Sequence, residues 1–232
     1  MFKKTKQNRT GRKLVTSNYS KSIVSEQFRT IRSNIKFSMK DKEFGTLLVT
    51  SSSVGEGKST IAANIAIAFA QDGKNVLLID ADLRKPTMHY TFNLFISPGF
   101  TNLLMSNWAF EDIVKESGIK GLKIITCGPI PSNPAELLGS NSMDKFMKEM
   151  KERFDIVILD APPLLSVADA QILAEKCDGT IVVVSSGFTQ RKNILKAKEV
   201  LLYSKAKTIG VILNNFKLEK DHYYYDYYIE TE

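Results

Sequence analysis

Short apolar runs alternate with longer amphipathic or alanine-rich stretches through most of the chain. The apolar runs predict six β-strands, at residues 46–51, 75–80, 122–127, 154–160, 180–185 and 208–213. The stretches between them predict helices, at residues 59–70, 142–152, 167–176 and 190–204. Runs this uniformly apolar are typical of a parallel sheet that is buried on both faces. The alternation of strands and helices therefore predicts an α/β fold with a doubly wound, mainly parallel sheet.

The two ends of the chain depart from this rhythm. Residues 1–20 are polar and basic, which indicates a flexible leader. A helix is predicted next, from residue 22 to about residue 40, with apolar side chains at spacings of three and four: Phe28, Ile31, Ile35 and Met39. After Asn215 the apolar rhythm stops. We therefore expect a leader at 1–20, one domain at 21–216 and a tail at 217–232.

Composition narrows the class of protein. With 232 residues, 43% of them hydrophobic, the chain can bury a full core. Its two cysteines have no CxxC spacing, so a disulfide framework or a structural zinc site is not expected. The N-terminus lacks the apolar segment of a signal peptide, and no apolar stretch of about 18 residues predicts a membrane span. These observations favour a cytoplasmic globular protein.

The net charge of +7 is concentrated near the N-terminus, where residues 1–40 hold eleven Lys and Arg against the single acid Glu26. A solvated leader, a contact with an anionic membrane surface and a contact with an acidic partner all remain open. Nucleic acid is not expected as a partner, because no motif that reads bases accompanies the charge.

A phosphate-binding loop is predicted between the first strand and the helix that follows it. Glycines there let backbone N–H groups close around phosphate oxygens, and the helix adds its N-terminal dipole. Lys58 would supply a charge for the β and γ oxygens, and Ser59 a hydroxyl for Mg²⁺. Ser52 stands where the usual pattern has its first glycine. The predicted nucleotide-binding residues are Ser53, Val54, Gly55, Glu56, Gly57, Lys58, Ser59 and Thr60.

Carboxylates end two of the later strands. Asp80 and Asp82 follow one apolar run, and Asp160 ends another. Ligands of open α/β sheets bind at the carboxyl ends of the strands, where a hydrated Mg²⁺ would relieve the repulsion between nearby carboxylates. We expect Ser59, Asp82 and Asp160 to organise the metal. We expect Lys58 and these aspartates to be catalytic, with Asp80 accepting a proton, although Asp80 and Asp82 could exchange roles.

Together these three blocks resemble the bacterial tyrosine kinases that regulate capsular and extracellular polysaccharide synthesis. The resemblance runs from about Ser22 to Glu232, includes the segment around Asp169, and is closest to the Gram-positive cytoplasmic form. It implies a P-loop NTPase fold, ATP and Mg²⁺ as cofactors, and phosphorylation of the chain by itself. It also implies a membrane activator whose cytoplasmic segment recruits the kinase to the inner face of the membrane. Further implied partners are a cognate tyrosine phosphatase and protein substrates in polysaccharide synthesis.

The tail carries the expected phosphate acceptors. Interspersed acidic residues make burial of this segment costly, which favours an exposed substrate over an aromatic packing segment. Five of the eight tyrosines lie within the last ten residues: Tyr223, Tyr224, Tyr225, Tyr227 and Tyr228.

Two further expectations concern assembly and the base. The resemblance assigns Glu26, Arg29 and Arg32, which share a helix flank, to contacts between subunits of a ring-shaped homo-oligomer. A merely solvated charged flank remains an alternative. Asn214, directly after the last predicted strand, is expected near the adenine.

Two other functions remain open. Chromosome-partitioning and division-site ATPases share this fold, and they typically carry an additional lysine where this chain has Ser53. The absence of that lysine and the tyrosine-rich tail argue against an ATP-driven positioning switch without kinase activity, which stays the main alternative. A nucleotide-dependent scaffold for a polysaccharide export complex is a third possibility, and it is compatible with kinase activity.

Overall fold

A seven-stranded sheet with helices on both faces organises the chain. The computed structural model describes residues 14–39, 45–106 and 108–217. In these ranges the strands are β1 Thr46–Ser51, β2 Val76–Asp80, β3 Val114–Glu116, β4 Leu122–Ile125, β5 Ile156–Asp160, β6 Gly179–Ser185 and β7 Thr208–Asn214. Their order across the sheet is β3-β4-β2-β5-β1-β6-β7, and every neighbouring pair is parallel except β3 with β4. The predicted doubly wound, mainly parallel fold is confirmed.

Ten helices connect and cover the strands in the described ranges. They are α1 Val15–Asn18, α2 Ile23–Ser38, α3 Lys58–Gln71, α4 Met88–Thr91, α5 Phe100–Met105, α6 Phe110–Ile113, α7 Pro134–Leu138, α8 Asn141–Arg153, α9 Asp169–Lys176 and α10 Arg191–Tyr203. Helix α2 begins where the hydroxyl of Ser22 accepts a hydrogen bond from the Ser25 amide, as expected of an N-cap. None of these helices is both long enough and apolar enough to cross a bilayer.

Two hydrophobic cores lie on opposite faces of the sheet. Because side chains alternate along a strand, Leu47 and Val49 of β1 pack into the core that α2 and α3 cover, and Leu48 packs into the other core. Helix α3 has buried residues on all sides, which explains its alanine-rich, uniformly apolar sequence. The central strands are thus buried on both faces, as predicted.

The last strand differs from that expectation. β7 pairs with β6 alone in the described part of the chain, and Val211 and Leu213 are 58% and 54% exposed. Ile209 and Ile212 pack against the core beneath α2 and α3. A strand at the edge of a sheet has a neighbouring strand on one side only, so an apolar sequence alone does not make its side chains buried.

The start of the chain also differs from the sequence expectation. Residues 15–18 of the expected flexible leader form α1, and the side chain of Thr16 is fully buried. Its amide and hydroxyl both donate to Oδ1 of Asn64 in α3, over 3.0 and 2.8 Å. Polar pairing, which hydrophobic periodicity does not register, holds this segment. Residues 1–13 lie outside the described residues.

Both cysteines are buried within the fold. Burial raises the pKa of the Cys177 thiol to about 12. Burial, together with the charges of Asp80 and Asp82, also raises the pKa of the Cys127 thiol. Both thiols are therefore protonated and unreactive at neutral pH.

Candidate nucleotide and phosphoryl-transfer site

The predicted phosphate-binding loop joins β1 to α3. Gly55 and Gly57 have φ angles of +87° and +94°, a region that side chains with a Cβ rarely adopt. A Cβ on Gly57 would also lie 2.2 Å from Nδ2 of Asn214. The positive φ angles and this close approach both require glycine. The loop ends directly before the N-terminus of a 14-residue helix. This is the arrangement that binds phosphate groups in α/β proteins.

Lys58 lies between two of the predicted carboxylates. Its Nζ donates to Oδ2 of Asp82 over 2.8 Å and to Oδ1 of Asp160 over 3.3 Å. Burial alone would lower the pKa of Lys58, but the charges of Asp160 and Asp82 outweigh burial and raise it. The Lys58 Nζ also donates to Oγ of Ser59 over 3.2 Å. The structure thus brings together four predicted site residues, from the carboxyl ends of the neighbouring strands β2 and β5 and from the helix that follows β1.

Asp80 lies behind this group, opposite Asp160 in the pairing of β2 with β5. Its Oδ2 accepts hydrogen bonds from the amides of Thr87 and Met88, each over 2.8 Å. Its Oδ1 is buried and has no hydrogen-bond partner among the described residues. Burial, followed by repulsion from Asp160, raises the pKa of Asp80 to about 7, although the two amides and Lys58 oppose the rise. A carboxyl poised near neutral pH suits a proton acceptor.

The donor set at this site fits a magnesium ion. The described residues contain no cluster of three His, Cys, Asp or Glu arranged as a complete metal cage. Mg²⁺ does not need one, because it keeps several waters and takes one or two carboxylates together with substrate phosphates. Asp82, Asp160 and the Ser59 hydroxyl supply hard oxygen donors around one ammonium group. The assignment of these three residues to the metal stays a prediction.

Two residues that were predicted to bind the nucleotide, Asn214 and Glu56, hold the loop itself in the structure. Nδ2 of Asn214 donates to the carbonyl oxygen of Glu56 over 2.9 Å, so Asn214 supports the loop backbone. The expected contact with adenine stays a prediction. The Glu56 side chain is fully buried and accepts hydrogen bonds from Ser52, Ser53 and Thr189. Sequence reasoning included Glu56 as a loop residue but missed these partners.

An ion pair beside the site was also missed. Nε and Nη2 of Arg84 donate to the two carboxylate oxygens of Asp169 over 2.9 and 3.0 Å. The Asp169 side chain is fully buried, and that of Arg84 is 43% exposed. This bidentate pair ties the segment after Asp82 to the start of α9. Its sequence signal was an arginine two residues after Asp82 and the segment around Asp169.

The charged flank of α2 is partly engaged within the chain itself. Arg29 pairs with Glu26 near the surface. Nη1 of Arg32 donates to the Ala68 carbonyl over 2.9 Å, and its Nη2 lies 3.3 Å from a carboxylate oxygen of Asp72. Arg32 thus contacts α3 of its own chain, and a subunit contact by the flank stays a prediction. The five tail tyrosines lie outside the described residues.

The loop geometry, the carboxyl-edge location and the sheet topology define the class of protein, which is that of the α/β P-loop nucleotide-binding proteins. Residues 45–196 match a family model described as an AAA domain. The chain is 48% identical to the tyrosine-protein kinase YwqD of Bacillus subtilis over 98% of its own length and 95% of that protein. It is 39% identical to the putative tyrosine-protein kinase CapB of Staphylococcus aureus, over 90% and 92% of the two chains.

A solved structure agrees with these relatives. The crystal structure of the chimerical protein CapA2B2 superposes with a TM-score of 0.85 at 38% identity, covering 88% of this chain and 90% of that one. The chain therefore belongs to the bacterial tyrosine-protein kinase family, and the resemblance drawn from the three sequence blocks is confirmed.

Proposed function

We propose that this kinase transfers the γ-phosphoryl group of ATP to tyrosines of its own C-terminal tail and thereby regulates capsular or extracellular polysaccharide synthesis. The observation that carries the proposal is the position of Lys58 between Asp82 and Asp160, with Asp80 behind them. One cationic group among three carboxylates, directly after a phosphate loop, suits the neutralisation of charge that develops on a transferred phosphoryl group.

In the proposed reaction, Lys58 contacts the β and γ oxygens of ATP and neutralises charge on the transferred group. A bond forms between the tyrosine oxygen and the γ-phosphorus, and the bond from that phosphorus to the β-bridging oxygen breaks. ADP leaves with the electrons of that bond. The tyrosine proton passes to the carboxylate of Asp80, whose pKa of about 7 makes both of its protonation states accessible near neutral pH.

The proposed metal ligands are Ser59, Asp82 and Asp160. A bound Mg²⁺ supplies positive charge at the β and γ phosphate oxygens. Asp82 is held for this role by two contacts, because its Oδ2 accepts from Lys58 and its Oδ1 accepts from the Lys85 amide over 3.0 Å. Fixing both oxygens restricts the rotation of the carboxylate, which favours a preorganised site.

The tail leaves the domain at the carboxyl edge of the sheet. β7 ends at Asn214, which contacts the phosphate loop, and Tyr223 follows Lys217 by six positions. An extended segment of that length spans about 20 Å. The tail therefore has the reach to serve its own site or a neighbouring one. Each phosphorylated tyrosine would add roughly −1.5 to −2 charges and repel its neighbours.

The proposal includes an assembly. A ring of subunits would use the α2 flank of Glu26, Arg29 and Arg32, and added phosphate charge would loosen it. A membrane activator would recruit the kinase through its cytoplasmic segment to the inner face of the membrane, and a tyrosine phosphatase would remove phosphate from the tail.

Glu26→Ala, Arg29→Ala and Arg32→Ala together should convert a large species to monomer on a sizing column. A large species that survives all three changes would exclude this interface.

The decisive experiment is phosphate mapping on residues 217–232 after co-expression with the cytoplasmic segment of a candidate activator. Lys58→Met should remove tail phosphotyrosine. Lys148→Met, which changes an exposed lysine of α8, is the matched control and should leave it intact. A tail without phosphate, in a chain that binds the activator and turns over ATP, would favour the positioning switch.

A further inference from the structure

The phosphate loop contains a fully buried carboxylate that the proposed reaction does not use. Oε1 of Glu56 accepts hydrogen bonds from the hydroxyls of Ser52, over 2.8 Å, and Thr189, over 2.5 Å. Oε2 accepts from the amide of Ser53 over 2.8 Å. The side chain therefore turns away from solvent and joins the beginning of its own loop to a segment 133 residues later.

A buried negative charge in the phosphate loop has two energetic costs. Glu56 lies two residues before Lys58 in a loop proposed to hold phosphates, and a negative charge there opposes phosphate binding. Burying a carboxylate is also costly unless hydrogen bonds satisfy it. Three donors satisfy Glu56, and all of them are neutral groups. These hydrogen bonds offset the cost of burial. They also offset the repulsion of phosphate if they hold the loop in the shape that binds the nucleotide.

The contacts of Glu56 continue into the segment between β6 and α10. Thr189 accepts a hydrogen bond from the Ser185 amide over 2.7 Å while it donates to Glu56. Nδ2 of Asn193 lies 3.3 Å from Oγ of Ser53 in the loop. Two contacts thus join the phosphate loop to this part of the chain, one to the β6–α10 connection through Thr189 and one to the first turn of α10 through Asn193.

The backbone of the same residue is held from β7. The carbonyl of Glu56 accepts from Asn214, and the next residue, Asn215, donates to Oγ of Ser185 over 3.0 Å. The β6–α10 connection therefore holds the side chain of Glu56, and the end of β7 holds its backbone carbonyl.

We propose that Glu56 is a positioning residue, which holds the phosphate loop in its nucleotide-binding shape by bracing it against Thr189 and the end of β7. Glu56 acts through the loop backbone and does not itself contact the nucleotide. The inference rests on the proposed nucleotide site, and it predicts that nucleotide affinity depends on Glu56 and Thr189 jointly. It does not depend on the tail being the substrate.

The test measures the affinity of the purified full chain for Mg·ADP by calorimetry, alongside the thermal midpoint of unfolding. Glu56→Ala should weaken binding by about tenfold or more, because three hydrogen bonds of the loop are lost. Thr189→Val should weaken it by roughly two- to fivefold through the loss of one bond. The double variant should bind no more weakly than Glu56→Ala, because the two residues act through one contact. Glu56→Gln, which keeps one acceptor oxygen, should fall between parent and Glu56→Ala.

Asp178→Ala is the matched control. Asp178 is a mostly buried carboxylate that accepts from the amide and hydroxyl of Thr46 at the opposite edge of the sheet. Its loss should lower the thermal midpoint and leave Mg·ADP affinity unchanged. The inference is overturned if Glu56→Ala and Thr189→Val bind as the parent does, if their effects add in the double variant, or if Asp178→Ala weakens binding equally. Should Glu56→Ala not fold, Thr189→Val and Ser52→Ala decide by the same criteria.

These outcomes are separate from those of the kinase experiment. Unchanged Mg·ADP affinity in the Glu56 and Thr189 variants would remove the brace and leave tail phosphorylation standing. A tail without phosphotyrosine, combined with weakened nucleotide binding in those variants, would remove the kinase proposal and leave the brace. A parent chain that binds no Mg·ADP at all would overturn both.

Discussion

Asp80→Asn should remove a pH-dependent loss of stability that the buried carboxyl of Asp80 causes. Burial and repulsion from Asp160 raise the pKa of Asp80 to about 7, whereas an aspartate in an unfolded chain titrates at about 3.9. Between these values the folded protein keeps a proton that the unfolded chain has released. The free energy of unfolding therefore falls as the pH rises from about 4 to about 7, and it stays low above that.

The magnitude follows from the shift in pKa. A difference of about three units, at 1.36 kcal/mol per unit, corresponds to about 4 kcal/mol at pH 8. No discount for solvent applies, since Asp80 is 0% exposed. In the variant, the amide oxygen of asparagine can still accept from the amides of Thr87 and Met88, while its NH₂ group can donate toward Asp160. Asp80→Asn should thus be more stable than the parent at pH 8 and nearly equal to it near pH 4.

The assay is urea unfolding followed by circular dichroism, in EDTA, at several pH values from 4.5 to 8. Asp144→Asn, an exposed aspartate of α8, serves as the control and should show no such trend against the parent. The reasoning is refuted if the stability difference between Asp80→Asn and the parent does not change with pH. It is also refuted if the variant is less stable than the parent at pH 8.

Three further changes test other parts of the structure. Arg84→Ala should cost about 2–3 kcal/mol in urea unfolding, because it leaves the buried Asp169 carboxylate unpaired, and the double variant with Asp169→Ala should recover part of that loss. Thr16→Val should cost about 1–2 kcal/mol if α1 is held as described, which the same assay measures. Gly57→Ala should weaken Mg·ADP binding by about tenfold or more, because its φ of +94° and the nearby Asn214 amide exclude a Cβ. Parent-like values in any of these three would contradict the corresponding contact.

The features that could be predicted from sequence are those that local patterns encode. Strand β1 and its loop follow from a six-residue run with three consecutive apolar side chains before a glycine-containing segment, and the structure places the strand at Thr46–Ser51 as expected. Helix α2 follows from its apolar spacing of three and four residues. Lys58, Asp82 and Asp160 meet because the carboxyl ends of parallel strands share one edge, so the site could be assembled without knowledge of strand order.

What the sequence could not supply depends on long-range packing. Strand order is one example, since β1 lies between β5 and β6, and both of these strands are more than 100 residues after β1 in the sequence. The bond from Thr189 to Glu56 is another, because neither residue carries a periodic or motif signal for the other. The antiparallel strand β3 has three residues of mixed polarity, too few to show a period. These features depend on contacts with residues that are distant in sequence, and the secondary-structure propensities of single residues do not describe such contacts.

The burial of both thiols has a practical consequence for following the tail. Cys127 and Cys177 are the only cysteines of the chain, and neither presents an accessible thiolate at neutral pH. The natural sequence is therefore already a background for site-specific labelling, without any cysteine having to be removed. A Lys217→Cys substitution at the exposed root of the tail would take a thiol-reactive fluorophore selectively. Such a probe would report the approach of the tail to the site in real time.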